Sequence, residues 1–154
     1  MAFAGSMDLF TMTIPNRISL ALIAAFVVAA PYCGLTVTQI AWHLGCGFLM
    51  LVIGILMFSR GWLGGGDAKL LAAASLWLGF EHLLGYLVLV AVAGGMLAST
   101  IMLYRSMTIP LCLIGQGWAS RLHEKTSGIP YGIALAAAAL WIYPSTTWFK
   151  VLVA

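Results

Sequence analysis

Asp8, Asp67, Glu81 and Glu124 are the only acids in this chain, and the first two stand where chemistry is possible. Asp67 follows three glycines in "LGGGDAKL" (Leu63–Leu70), behind one apolar run, with Lys69 two residues on. Asp8 precedes another apolar run, and a complete helical hairpin separates the two acids in sequence. Two carboxylates brought together in a poorly hydrated site do not both ionise readily, so one keeps its proton while the other acts as a base. Such a pair hydrolyses an amide by general acid–base catalysis. The ionised aspartate takes a proton from water, the water attacks the carbonyl, and the protonated partner donates to the carbonyl oxygen; a proton returned to the leaving amine ends the reaction. No metal, cofactor or covalent intermediate is required. Gly64, Gly65 and Gly66 suit this chemistry, because bare backbone can turn sharply and let an extended peptide approach Asp67.

The remaining reactive side chains point to less. Cys33, Cys46 and Cys112 are far apart and read as small apolar fillers, without a zinc or disulfide pattern. His43 falls inside an apolar run and reads as a hydrogen-bonded core residue; His82 and His123 complete no metal spacing with it. Lys69 reads first as a snorkelling cation and only second as a support for the charge state of the pair.

The elements that must position these residues are membrane helices. The 154 residues are 63% hydrophobic and 7% charged, with a mean hydropathy of +1.07. Soluble domains carry about 25% charged residues, so the chain's solvent is lipid. Seven Lys/Arg are too few for a nucleic-acid surface. Crossing the bilayer takes about 20 apolar residues, and four runs approach that: 14–33, 39–58, 83–103 and 129–148, the last broken near Pro144. Thr13 is a candidate N-cap for the first, with Pro15 in its first turn. Arg17, "ISLALIAAFVVAA" and Ala29-Ala30 also resemble a signal peptide, but the further spans favour an uncleaved helix.

A shorter run, "AKLLAAASLWLGF" (Ala68–Phe80), reads as a short helix followed by a turn at "FEHLL", in preference to one span over 70–92 that would place Glu81 at mid-depth. With it counted as a crossing, Arg17, Arg60, Lys69, Arg105, Arg121 and Lys125 fall on one side and Lys150 alone on the other. The positive-inside rule makes the basic side cytoplasmic. The expectation is an all-α, polytopic membrane bundle of about five spans, with both aspartates at its cytoplasmic edge. "GWASRLHEK" (Gly117–Lys125) reads as a short interfacial helix that could receive substrate, and Trp62, Trp77, Trp141 and Trp148 as interface anchors.

Three motifs then align with one family. "GGGDAKL" fits a GxGD signature followed by lysine, "DLFTMTIPN" (Asp8–Asn16) is similar to the family's aspartate followed by an Ile-Pro-Asn turn, and "GIPYGIALAAAAL" (Gly128–Leu140) is similar to its last helix. In this order the chain resembles the type IV prepilin peptidases, in particular the short peptidase-only branch of Flp-type, tight-adherence pilus systems. The resemblance implies a bacterial inner-membrane aspartic endopeptidase that removes the leader peptides of prepilins and pseudopilins at the cytoplasmic face. It implies Asp8 and Asp67 as the catalytic pair, with Lys69, Pro15 and Asn16 as supporting residues. It also implies a single peptidase domain, without the methyl-transfer activity or cysteine tetrad of longer members. Family members usually carry a helix before the first aspartate; only "MAFAGSM" precedes Asp8 here, so five spans are expected where six are typical.

Plainer readings compete with these. Asp8 alone would be a solvated residue in a loop-like start, and Asp67 alone an ordinary helix N-cap. The same-class rival is another GxGD intramembrane protease, of the signal-peptide-peptidase or presenilin kind. The different-class rival is a non-catalytic scaffold of a pilus or secretion assembly, which needs neither aspartate. A small transporter would want more polar groups at mid-membrane than these spans offer.

Overall fold

The computed structural model describes residues 1–108, 116–124 and 128–149, so Cys112, Lys125 and Lys150 lie outside the described residues. Within them the chain is a helical membrane bundle: α1 (Ala2–Thr11), α2 (Asn16–Tyr32), α3 (Val37–Ser59), α4 (Gly65–Ser106), α5 (Gly117–His123) and α6 (Tyr131–Ile142), the last running into a 3₁₀ turn, Tyr143–Ser145. No strand occurs among the described residues. Among the described residues, α3 and α4 alone are long and apolar enough to cross a membrane by length and composition; α2 and α6 are shorter apolar helices.

The helix ends follow local rules. Thr36 and Gln39 make a full capping box, each side chain satisfying the other's backbone N–H, and so fix the start of α3. Pro15 is the N-cap of α2 rather than a residue of its first turn, and Thr13 pairs with Thr11 instead of capping the helix. Asp8 is not in a loop: α1 is helical through Thr11 and ends in the left-handed conformation of Met12.

The expected short helix is present, but no turn follows at "FEHLL". The break is the single residue Gly79, at φ 66 and ψ 179, with helix resuming immediately after it. This region of backbone space is essentially open to glycine alone, and a Cβ there would also lie 2.9 Å from His43 Cε1. The 14 residues of the first limb, 65–78, rise only about 21 Å. The second limb doubles back: Gly94 packs on Tyr131, and Arg105 returns to the cavity that Asp67 lines.

A broken helix strands the carbonyls of its last turn. The His43 ring, through Nδ1, pairs with Leu76 O at 2.8 Å, and Trp148 Nε1 donates to Trp77 O at 2.6 Å. Around these bonds Phe26, His43, Trp77 and Trp148 stack, with ring centroids 4.9 to 5.8 Å apart. Trp77 and Trp148 thus serve the interior of the bundle rather than its interface, while Trp62 and Trp141 are exposed. The core proper lies between both limbs of α4, α1 and α6, built on Leu70, Ala74, Leu78, Tyr86 and Leu135.

Candidate active site

Asp8 and Asp67 line one cavity of about 540 Å³ at the end of the bundle where α1 ends and α4 begins. Arg105 and the segment from Gly128 to Tyr131 complete its wall. Both acids are buried, Asp8 to 5% and Asp67 to 8% exposure. Burial raises the Asp8 carboxyl above its ordinary value, and one hydrogen bond works against that shift.

The donor of that bond is the Gly132 N–H, which reaches Asp8 Oδ2 at 2.7 Å. Its availability follows from helix geometry. Pro130 is the N-cap of α6, and the first N–H groups of a helix have no partner within it. The Tyr131 N–H turns back to Ile129 O and the Ile133 N–H to Pro130 O, leaving Gly132 to face the carboxylate. The same amide bears on Asp67 only electrostatically; its hydrogen bond goes to Asp8. A residue larger than glycine does not fit: a Cβ at 132 would lie 2.7 Å from Asp8 Oδ2 and 2.8 Å from Ile14 Cδ1.

Asp67 is three residues beyond the N-cap of α4, which is Gly64, and so is not itself the cap. From that position its carboxylate turns back toward Gly64, the N-cap. A Cβ on Gly64 would meet Asp67 Oδ2 at 2.8 Å, so the glycine makes room for the acid. Gly66 does the same for Ile14, and Gly65 abuts the Phe58 ring. None of the three uses a left-handed conformation; the positive-φ turn into this segment is at Gly61, φ 72. The sharp turn expected at Gly64–Gly66 therefore lies upstream, and small size is what those glycines contribute. Asp67 Oδ1 is buried without a hydrogen-bond partner, an acceptor facing nothing in the protein.

Lys69 and Asn16 are not brought to this cavity. Lys69 Nζ donates to Asn16 Oδ1 at 2.8 Å on another face of α4. Pro15 acts only through Ile14, whose side chain fills the space over Gly66 and Gly132. Two residues to which the sequence assigned no role in the site matter here: Gly132 and Arg105. Arg105 Nε donates to Leu122 O at 2.8 Å and Nη2 to Gly128 O at 3.1 Å, which ties α5 and the entry to α6 against the end of α4. Arg121 Nη1 donates to Phe10 O at 3.0 Å and ties α5 to α1. The signal for Arg105 was a lone cation closing an apolar run; Gly132 acts through backbone and had only the Gly-Ile-Pro-Tyr-Gly spacing to betray it.

The described cations, Arg17, Arg60, Lys69, Arg105 and Arg121, are all at this end of the molecule. The opposite end holds a separate cavity of about 450 Å³ around Gly79, Glu81, His82 and Thr146, with no lysine or arginine in its lining. A family model described as the type IV leader peptidase family matches residues 1–99, which include Asp8 and the whole Gly64–Asp67 segment. No curated protein and no solved structure matches the chain.

Proposed function

The chain belongs to the type IV leader peptidase family, and from that premise we propose that it is a membrane-embedded aspartic endopeptidase with Asp8 and Asp67 as its catalytic pair. Its substrates are prepilins and pseudopilins of type IV, Flp-type systems, and their leader peptides are cut at the cytoplasmic face. The observation that carries this reading is the convergence of two buried carboxylates, from helices far apart in sequence, on one cavity. In this reading α2, α3, the two limbs of α4 and α6 are five crossings, the described Lys and Arg stand on the cavity side, and the positive-inside rule makes that side the bacterial cytoplasm. A single peptidase domain suffices for this reaction.

The hydrogen bonds supply the division of labour. An N–H donated to Asp8 stabilises its anion, so Asp8 is the base that takes the water's proton. Asp8 is the carboxylate that holds a hydrogen bond, from Gly132, while Asp67 has a buried oxygen, Oδ1, without a partner, so in this reading Asp67 carries the shared proton and gives it to the scissile carbonyl oxygen. Water attack forms the new carbon–oxygen bond. Return of the proton from Asp8 to the leaving nitrogen then breaks the carbon–nitrogen bond. The test is co-expression with a Flp-type prepilin and mass measurement of the product. Parent membranes should yield the shortened pilin, while Asp8→Asn and Asp67→Asn should accumulate precursor at normal expression. Full cleavage by either variant refutes the pair, and an inactive parent favours the scaffold reading.

A further inference from the structure

A second concavity lies on the back of the first limb of α4. Its volume is about 500 Å³. Three helices line it with four residues each at i, i+3, i+4 and i+7: Asn16 to Ile23 of α2, Leu44 to Leu51 of α3, and Lys69 to Leu76 of α4. α2 and α3 both pack on α4 but scarcely on each other, which leaves the groove open between them. Its floor is made of small residues, Gly47 among them, whose Cβ would meet Leu76 Cβ at 3.0 Å.

The groove is polar at one end only. There Lys69 is exposed and its ammonium has Asn16 Oδ1 as partner, with two further donors to offer and no carboxylate against it among the described residues. Arg17 is exposed beside Asn16. One helical turn deeper, Ser19 is 5% exposed and its hydroxyl has no hydrogen-bond partner. Beyond it the walls are Leu20, Ile23, Leu44 and Phe48, each at least 40% exposed. A cation, then a lone hydroxyl, then hydrocarbon wall, over about 10 Å of helix in all, is the sequence of groups down a phospholipid: phosphate, ester, start of the acyl chain.

We propose that this groove is a binding site for one anionic phospholipid, with its phosphate on Lys69, a glycerol ester oxygen at the Ser19 hydroxyl after a χ1 rotation, and an acyl chain along α2 and α3. A substrate helix is the other conceivable occupant, and position argues against it. Residues 69, 72, 73 and 76 lie about 140–240° around the helix from Asp67, and the groove and the cavity of the acids share no lining residue. A lipid anchored here holds α2 to the first limb of α4 two residues from Asp67, independently of what the acids cleave.

Native mass spectrometry of the purified protein with phosphatidylglycerol or phosphatidylcholine of matched chains tests this without any peptidase readout. The parent should retain one phosphatidylglycerol under activation that strips phosphatidylcholine. Lys69→Gln, which removes the charge, and Ala73→Leu, which fills the groove, should each weaken retention by at least about tenfold, with circular dichroism confirming the fold. Equal retention of both lipids, or retention unchanged in both variants, overturns the site and leaves bulk lipid only. A prepilin helix that photo-crosslinks to a probe at Leu44 overturns it in favour of a peptide path.

Discussion

Replacing Gly132 by alanine adds one methyl group where α6 meets Asp8. That methyl would sit 2.7 Å from Asp8 Oδ2, 2.8 Å from Ile14 Cδ1 and 3.0 Å from Asp8 Cβ. Ordinary contacts between carbons fall at about 3.5–4.0 Å, so the carboxylate must retreat by about 1 Å or α6 must lift away from it. A displacement of that size at reacting groups costs about 100-fold in rate, which is about 2.7 kcal/mol of barrier. Stability should change less. Alanine is favoured over glycine in a helix by about 0.5–1 kcal/mol, against about 1–3 kcal/mol for crowding a packed interior. The net loss of about 0–2.5 kcal/mol is small beside the 5–15 kcal/mol typical of a folded domain. The assay is the initial rate of prepilin cleavage in membranes matched for expression. Gly95→Ala is the control, because nothing lies within 4 Å of a Cβ there and the second limb of α4 should simply accept it. Cleavage by Gly132→Ala within about threefold of the parent would refute the reasoning, as would an equal loss in Gly95→Ala.

Asp8→Asn should raise thermal stability at neutral pH. The folded protein holds the Asp8 proton above the ordinary value of 3.8, so stability falls as pH rises from that value through the raised one. Asparagine escapes this loss, and the gain over the parent should vanish as the pH is lowered toward 4; a gain independent of pH would mean another cause. Gly79→Ala forces a side chain into backbone space reserved for glycine and against the His43 ring. It should cost about 2–4 kcal/mol in denaturant unfolding from strain and crowding together, and a change below about 0.5 kcal/mol would contradict the break as described.

Much of this architecture was legible because lipid demands long apolar runs. The run 39–58 became α3 within two residues at either end, and the short helix after Asp67 was recognisable from its length alone. The corner at Gly79 was not, because "GFEHLL" contains polar residues that read as a turn, while the actual break needs one glycine and leaves the polar residues helical. Asp8 read as a loop because seven preceding residues look too few to anchor a helix; packing of α1 on α6 supplies the anchor. Of the candidate site, the acids announce themselves by type and the glycines by repetition. The amide facing the acids carries no such mark, since every residue but proline has one. Lys69 and Asn16 sit near the acids in sequence yet turn away, because two residues along a helix is about 200° around it.

The contact between Gly132 and Asp8 spans 124 positions of the chain. Closing a loop of that length costs about 4 kcal/mol of chain entropy, a cost met only when α6 docks between α1 and α4. During synthesis the two acids are made long before the segment whose amide meets Asp8. Asp8 therefore acquires its donor only after α6 has been made. A nascent chain would carry both acids into the membrane without the amide that meets Asp8, and maturation of the site is timed by the arrival of α6.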